Sequence, residues 1–205
     1  MTRARLMSAL LAPVAIVSLS GCGVNSIPTA EEEAKARWAD VQNQYQRRAD
    51  LIPNLVASVQ GAAAQERNVL REVTEARARA TQTTLSAEQL SDPEAVRRFS
   101  QAQGQLTTAL LPLRQLQEAY PDLKTNQNFL ALQSQLEGTE NRITIARTDY
   151  NKAVQNYNTR IRTFPDVIGA KVFYGAKPMV PFEAVTPNAE RAPTVSFDTS
   201  TNSTK

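Results

Sequence analysis

Phe129-Leu130-Ala131-Leu132-Gln133-Ser134-Gln135-Leu136-Glu137-Gly138-Thr139-Glu140-Asn141-Arg142-Ile143 is the stretch that decides the fold of this chain. Phe129, Leu132, Leu136, Thr139 and Ile143 fall in alternating steps of three and four, which lines one face of an α-helix. The rhythm continues through Ala146, Tyr150, Ala153 and Tyr157 to Phe164. It predicts one helix opening near Thr125 or Asn126 and running to about Thr163, closed by Phe164-Pro165. At 1.5 Å per residue that helix is about 57 Å long. A stripe of that length needs other helices to cover it.

Working toward the N-terminus, Asp92-Pro93-Glu94 places a capping residue, a proline at the first helical position and an acid in the first turn. Val96, Phe99, Gln103, Leu106, Leu110, Leu113, Gln117 and Tyr120 follow at threes and fours, with Pro112 expected to bend the helix and Pro121 to close it. Earlier still, Thr29 is a candidate cap: Glu31, Glu32 and Glu33 occupy the first turn, and Thr29-x-x-Glu32 has capping-box spacing. The stripe Trp38, Val41, Tyr45, Ile52, Leu55, Val59, Ala62 then continues weakly through Leu70, Val73, Ala76 and Ala80. Pro53 interrupts it, at a cost of about 3 kcal/mol to a helix interior. Either the helix kinks there or Asp50 caps a new one. The stripe keeps phase across the proline, which favours a kinked continuation of about 75 Å over residues 30–80.

Three long amphipathic passes joined by short loops predict an all-α fold, an up-and-down antiparallel helical bundle. The fourth helix is either the part before Pro53 or a short piece after Phe164; sequence does not decide. The expected organisation is a leader at residues 1–21, a tether at 22–28, the bundle at 29–171 and an irregular, partly disordered tail at 172–205. Pro178, Pro181, Pro187 and Pro193 exclude a long helix from that tail, and Val195-Ser196-Phe197 could at most dock locally.

At the other extreme of the chain, Arg3 and Arg5 precede an apolar run over residues 6–19, too short to span a bilayer core but suited to a secretory leader. Leu19-Ser20-Gly21-Cys22 is similar to the bacterial lipobox, where the leader is removed before a cysteine that carries lipid. Cys22 is the only cysteine in the chain. The expectation is a lipid-anchored, extracytoplasmic protein on the periplasmic side, at the inner or outer membrane; Gly23 after the cysteine permits outer-membrane sorting.

Without residues 1–21 the chain carries 21 basic and 20 acidic residues. Such near-neutrality argues against nucleic acid as a partner. Histidine is absent, which removes the commonest general base and metal ligand together. No glycine-rich phosphate loop, G-x-S-x-G elbow or Ser-x-x-Lys motif is present. The reading is therefore no enzyme, no cofactor and no metal.

Several blocks go beyond generic helix. Tyr45-Gln46-Arg47-Arg48-Ala49-Asp50-Leu51-Ile52-Pro53-Asn54-Leu55-Val56 resembles the signature block of the LemA family. Glu118-Ala119-Tyr120-Pro121-Asp122-Leu123-Lys124, Asn128-Phe129, Leu136-Glu137-Gly138-Thr139-Glu140-Asn141-Arg142-Ile143, Ala146-Arg147 and Asp149-Tyr150-Asn151 also match, in order. The resemblance covers roughly residues 25–165. It implies a membrane-tethered, extracytoplasmic helical bundle without an established enzymatic activity. Some family members lie near metalloprotease or envelope-stress genes, and related bundles occur in magnetosome membranes. A short leader with a lipobox departs from the uncleaved transmembrane helix that family members often keep.

The polar residues inside these blocks are the candidate functional set: Arg47, Arg48, Asp50, Asn54, Asp122, Glu137, Glu140, Asn141, Arg142, Arg147 and Asn151. They suit an interhelical network of Arg–carboxylate and Asn hydrogen bonds that fixes register, or a surface for an envelope protein partner. Glu137, Glu140 and Asp122 are the only basis for a carboxylate hydrolase, and membrane shaping by the bundle is a further alternative. Tyr150 and Tyr157 read as core residues with a hydroxyl at the edge, and Trp38 as packed against the bundle more than against a membrane interface.

Overall fold

The computed structural model describes residues 25–183. The leader, Cys22 and the Val195 run lie outside them. Helix α1 (Ser26–Ala62) passes without interruption through Pro53. It is followed by α2 (Arg67–Gln82), a 3₁₀ turn (Ala87–Ser91), α3 (Pro93–Ala119), a short α4 (Pro121–Thr125) and α5 (Gln127–Arg160). A one-turn α6 (Asp166–Gly169) runs into a π-turn at Ala170–Tyr174. No strand occurs among the described residues.

Two start signals form as expected. The Asp92 side chain accepts from the Glu94 N–H with Pro93 in the first turn, and Asn126 accepts from the Phe129 N–H. The first start is corrected: the helix begins at Ser26, three residues before Thr29, because Ile27 is fully buried and anchors the first turn in the core. The Thr29 hydroxyl donates back to the Asn25 carbonyl instead of capping, and Glu31 and Glu32 pair with Lys35. These contacts hold the Lys35 ammonium well above its usual pKa, with the Glu31 hydrogen bond contributing most.

The single helix expected over residues 30–80 is also corrected. It breaks after Ala62, where Ala63 leaves helical geometry at φ −133° and ψ 53°. A straight continuation would carry Leu70, Val73, Ala76 and Ala80 away from any partner. Folding back lays that face against α3 and buries all four. The fourth helix is thus the segment after this break, neither of the two alternatives left open by sequence.

Four long helices alternate in direction, with α1 and α5 forming the most extensive pair. Two hydrophobic clusters fill the bundle. One, here called proximal because it holds the start of α1, contains Ile27, Trp38, Val41, Tyr45, Phe99, Ile143, Tyr150 and Tyr157. The distal one contains Ile52, Leu55, Val59, Leu70, Val73, Leu106, Leu113 and Leu136. Helix α2 contributes only to the distal cluster. In the proximal half its place is taken by Leu85, Leu90 and the extended segment 176–183, which delivers Met179 and Phe182 to the core. Part of the tail expected at 172–205 therefore belongs to the bundle, irregular in backbone yet packed like a fifth element.

Candidate functional site

The two clusters meet at a polar layer. On α1 it falls between Tyr45 and Ile52, on α3 between Phe99 and Leu106, and on α5 between Leu136 and Ile143. Arg48 occupies its centre and is 1% exposed. One guanidinium nitrogen donates to Thr107 Oγ1 and Glu140 Oε1, each at 3.0 Å. The other donates to Gln103 Oε1 at 2.5 Å and the Gln103 carbonyl at 3.3 Å. The guanidinium also lies 5.1 Å from the Tyr45 ring centroid. Gln103 passes the network to α2 by donating to the Ala80 carbonyl. One arginine therefore ties α1 directly to α3 and α5, and through Gln103 to α2. Burial raises the Tyr45 phenol pKa, while Arg147 and Arg48 oppose the rise.

A second constellation holds the C-terminal strap. The Asn151 side chain pairs with the Phe182 backbone, donating to its carbonyl at 2.9 Å and accepting from its N–H at 2.8 Å. Asn158 does the same for Met179 at 2.8 and 2.9 Å. Between them the Tyr150 hydroxyl donates to the Val180 carbonyl, and the Val180 N–H donates to Leu90 of the 3₁₀ turn. Arg147 donates to the Glu183 carbonyl and sits 4.8 Å from the Phe182 ring centroid. Phe182 in turn packs with Trp38, Phe99 and Tyr150 at centroid separations of 5.4 to 6.3 Å. Trp38 is buried, its indole N–H donating to the Leu85 carbonyl.

The candidate residues thus divide. Arg48 with Glu140, and Arg147 with Asn151, are drawn into these two constellations. Arg47, Asp50, Asn54, Asp122, Glu137, Asn141 and Arg142 are exposed. Asp50 accepts from Gln46, Glu137 from Gln133, and Arg142 donates to the Gly138 carbonyl, all within their own helices. Sequence reading missed Asn158, Thr107 and Arg77, and took Gln103 only as a stripe position. An amide in an otherwise apolar stripe was the one available signal.

The carboxylates do not assemble a site. Glu140 is turned onto Arg48, Glu137 bonds along the surface, and Asp122 is exposed on α4. Among the described residues no three acidic, cysteine or histidine side chains cluster as metal ligands.

The fold is that of an all-helical bundle, with Arg48 and Glu140 in one internal clamp and Arg147 and Asn151 in another. The LemA family model matches residues 37–197, and the chain belongs to the LemA family. The match takes in the strap as well as the helices. LemA is not known as an enzyme family. No curated protein matches the chain.

Proposed function

We propose that this chain is a lipid-anchored cell-envelope protein, held through Cys22, whose bundle is a non-catalytic adaptor for another envelope protein. One observation carries the reading. Within the family blocks, Arg48, Glu140, Arg147 and Asn151 are used internally, whereas Arg47, Asp50, Asn54, Glu137, Asn141 and Arg142 stand exposed on the same two helices. The antiparallel pairing of α1 with α5, with Arg48 against Glu140, brings Arg47, Asp50 and Asn54 to the level of Glu137 and Asn141. Arg47 and Asn141 make no side-chain hydrogen bond or ion pair among the described residues. Exposed polar groups on rigid helices, with no assembled acid–base pair, suit recognition better than catalysis.

The test joins anchor and surface. A photo-crosslinking side chain placed at Arg47 or Asn141 in living cells is expected to give a discrete protein adduct, and one placed at Arg71 on α2 is expected not to. Intact mass of the purified chain is expected to show acylated Cys22, and Cys22→Ser to leave that position unmodified. An unmodified cysteine in the natural chain sinks the anchor. The absence of any adduct from α1 and α5 sinks the adaptor.

A further inference from the structure

Eight large apolar side chains are exposed among the described residues, and five of them fall within residues 164–174. Phe164 is 81% exposed, Phe173 70%, Val172 69%, Ile168 54% and Tyr174 43%. The segment winds through α6 and the π-turn, whose inner side holds Gly169 and Ala170 against the core. Concentration of apolar surface on one short element is not what solvent selects.

Its position names the occupant. Ser26, at the first turn of α1, donates to Asp166 of α6 at 2.7 Å, and Ile27 Cδ1 lies 3.5 Å from the place a Cβ on Gly169 would take. The apolar segment therefore sits where the chain enters the bundle. Two residues separate Cys22 from Asn25, three Cα steps that span at most about 11 Å. The segment's own charge fits the same surface. Residues 160–177 contain Arg160, Arg162, Lys171 and Lys177 against Asp166 alone. Arg160 is 3.9 Å from Asp166, leaving Arg162, Lys171 and Lys177 exposed.

We infer that residues 164–174 form a membrane-docking tip: Phe164, Ile168, Val172, Phe173 and Tyr174 enter the interfacial region of a bilayer while Arg162, Lys171 and Lys177 contact anionic lipid headgroups. This lies on the membrane and does not span it; no described helix is long and apolar enough to cross one. A lipid chain alone leaves a protein free to swivel on its tether. A second contact at the same end holds α1 and α5 upright, so that their exposed polar residues face a partner at a set height. The inference rests on residue 22 being the tether.

The test uses the full chain, purified from membranes and reconstituted into phosphatidylglycerol vesicles carrying brominated acyl chains. Phe173→Trp and Val172→Trp are compared with Ile145→Trp, an exposed apolar position on α5 (61%), each read against the unsubstituted chain with its buried Trp38. Emission from positions 172 and 173 is expected to fall about twofold, with Ile145→Trp unchanged. In phosphatidylcholine, or with Lys171→Glu and Lys177→Glu together, quenching is expected to weaken. Quenching at neither site, or equally at 145, overturns the inference, whether a second copy or residues 184–205 cover the patch. Quenching at 172 and 173 that ignores headgroup charge overturns the anionic part. Intact mass separates the failures: a bare Cys22 with quenching at 173 removes the tether and keeps the tip, whereas acylated Cys22 without quenching removes the tip alone.

Discussion

Pro53 shows how one residue's deficit is met by another far along the chain. A proline inside a helix leaves the carbonyl four residues back without its partner, and here that carbonyl belongs to Ala49. Arg77 of α2 donates its Nε–H to the Ala49 oxygen at 2.7 Å. Arg77→Ala is therefore expected to cost about 1–2 kcal/mol in urea unfolding. In a Pro53→Ala background, where the helix supplies its own N–H, the same substitution is expected to cost less than about 0.5 kcal/mol. Equal costs in both backgrounds would show that Arg77 acts elsewhere. The in-phase stripe made the helix through Pro53 legible, but nothing near residue 53 points to residue 77.

Among the elements, the strap is the one that local reading misplaces. Its prolines rule out helix and its short apolar runs show no period, so it reads as tail. Its order comes from Asn151, Tyr150 and Asn158 on α5, which satisfy extended backbone as a neighbouring strand would. Burial raises the Tyr150 phenol above its usual pKa of 10.0. The folded chain then keeps this proton when the unfolded chain has begun to release it. Stability from this group is full below the unfolded pKa and declines as pH rises past about 10 toward the higher folded value. Tyr150→Phe should lose about 1 kcal/mol at neutral pH, with the Val180 carbonyl left short of a donor, yet decline less steeply under alkali. Urea midpoints from neutral pH to about pH 11 check this, and identical slopes would refute it.

For the whole molecule, the polar layer between two apolar cores is the organising feature. Arg48→Ala removes the only buried cation among the described residues and opens a cavity. A loss of about 3–4 kcal/mol is expected, seen as a melting temperature lower by about 10 °C. Replacing the layer together, with Arg48→Met, Gln103→Leu and Glu140→Leu, is expected to leave stability equal or higher, because no charge or amide is then buried without partners. Such an outcome assigns the layer to register, not to net stability. A triple variant as unstable as Arg48→Ala would reverse the assignment.

Helical periods, the Asp92 cap and a helix start near Thr125 or Asn126 were legible in the sequence alone, because they arise from contacts within a few residues; the length of the apolar stripes then implied the bundle class. The break after Ala62, the meeting of Arg48 with Gln103, Thr107 and Glu140, and the docking of residues 176–183 were decided only in tertiary structure. In each of those, buried polar groups and uncovered apolar faces found partners dozens of residues away, and no local pattern specifies which.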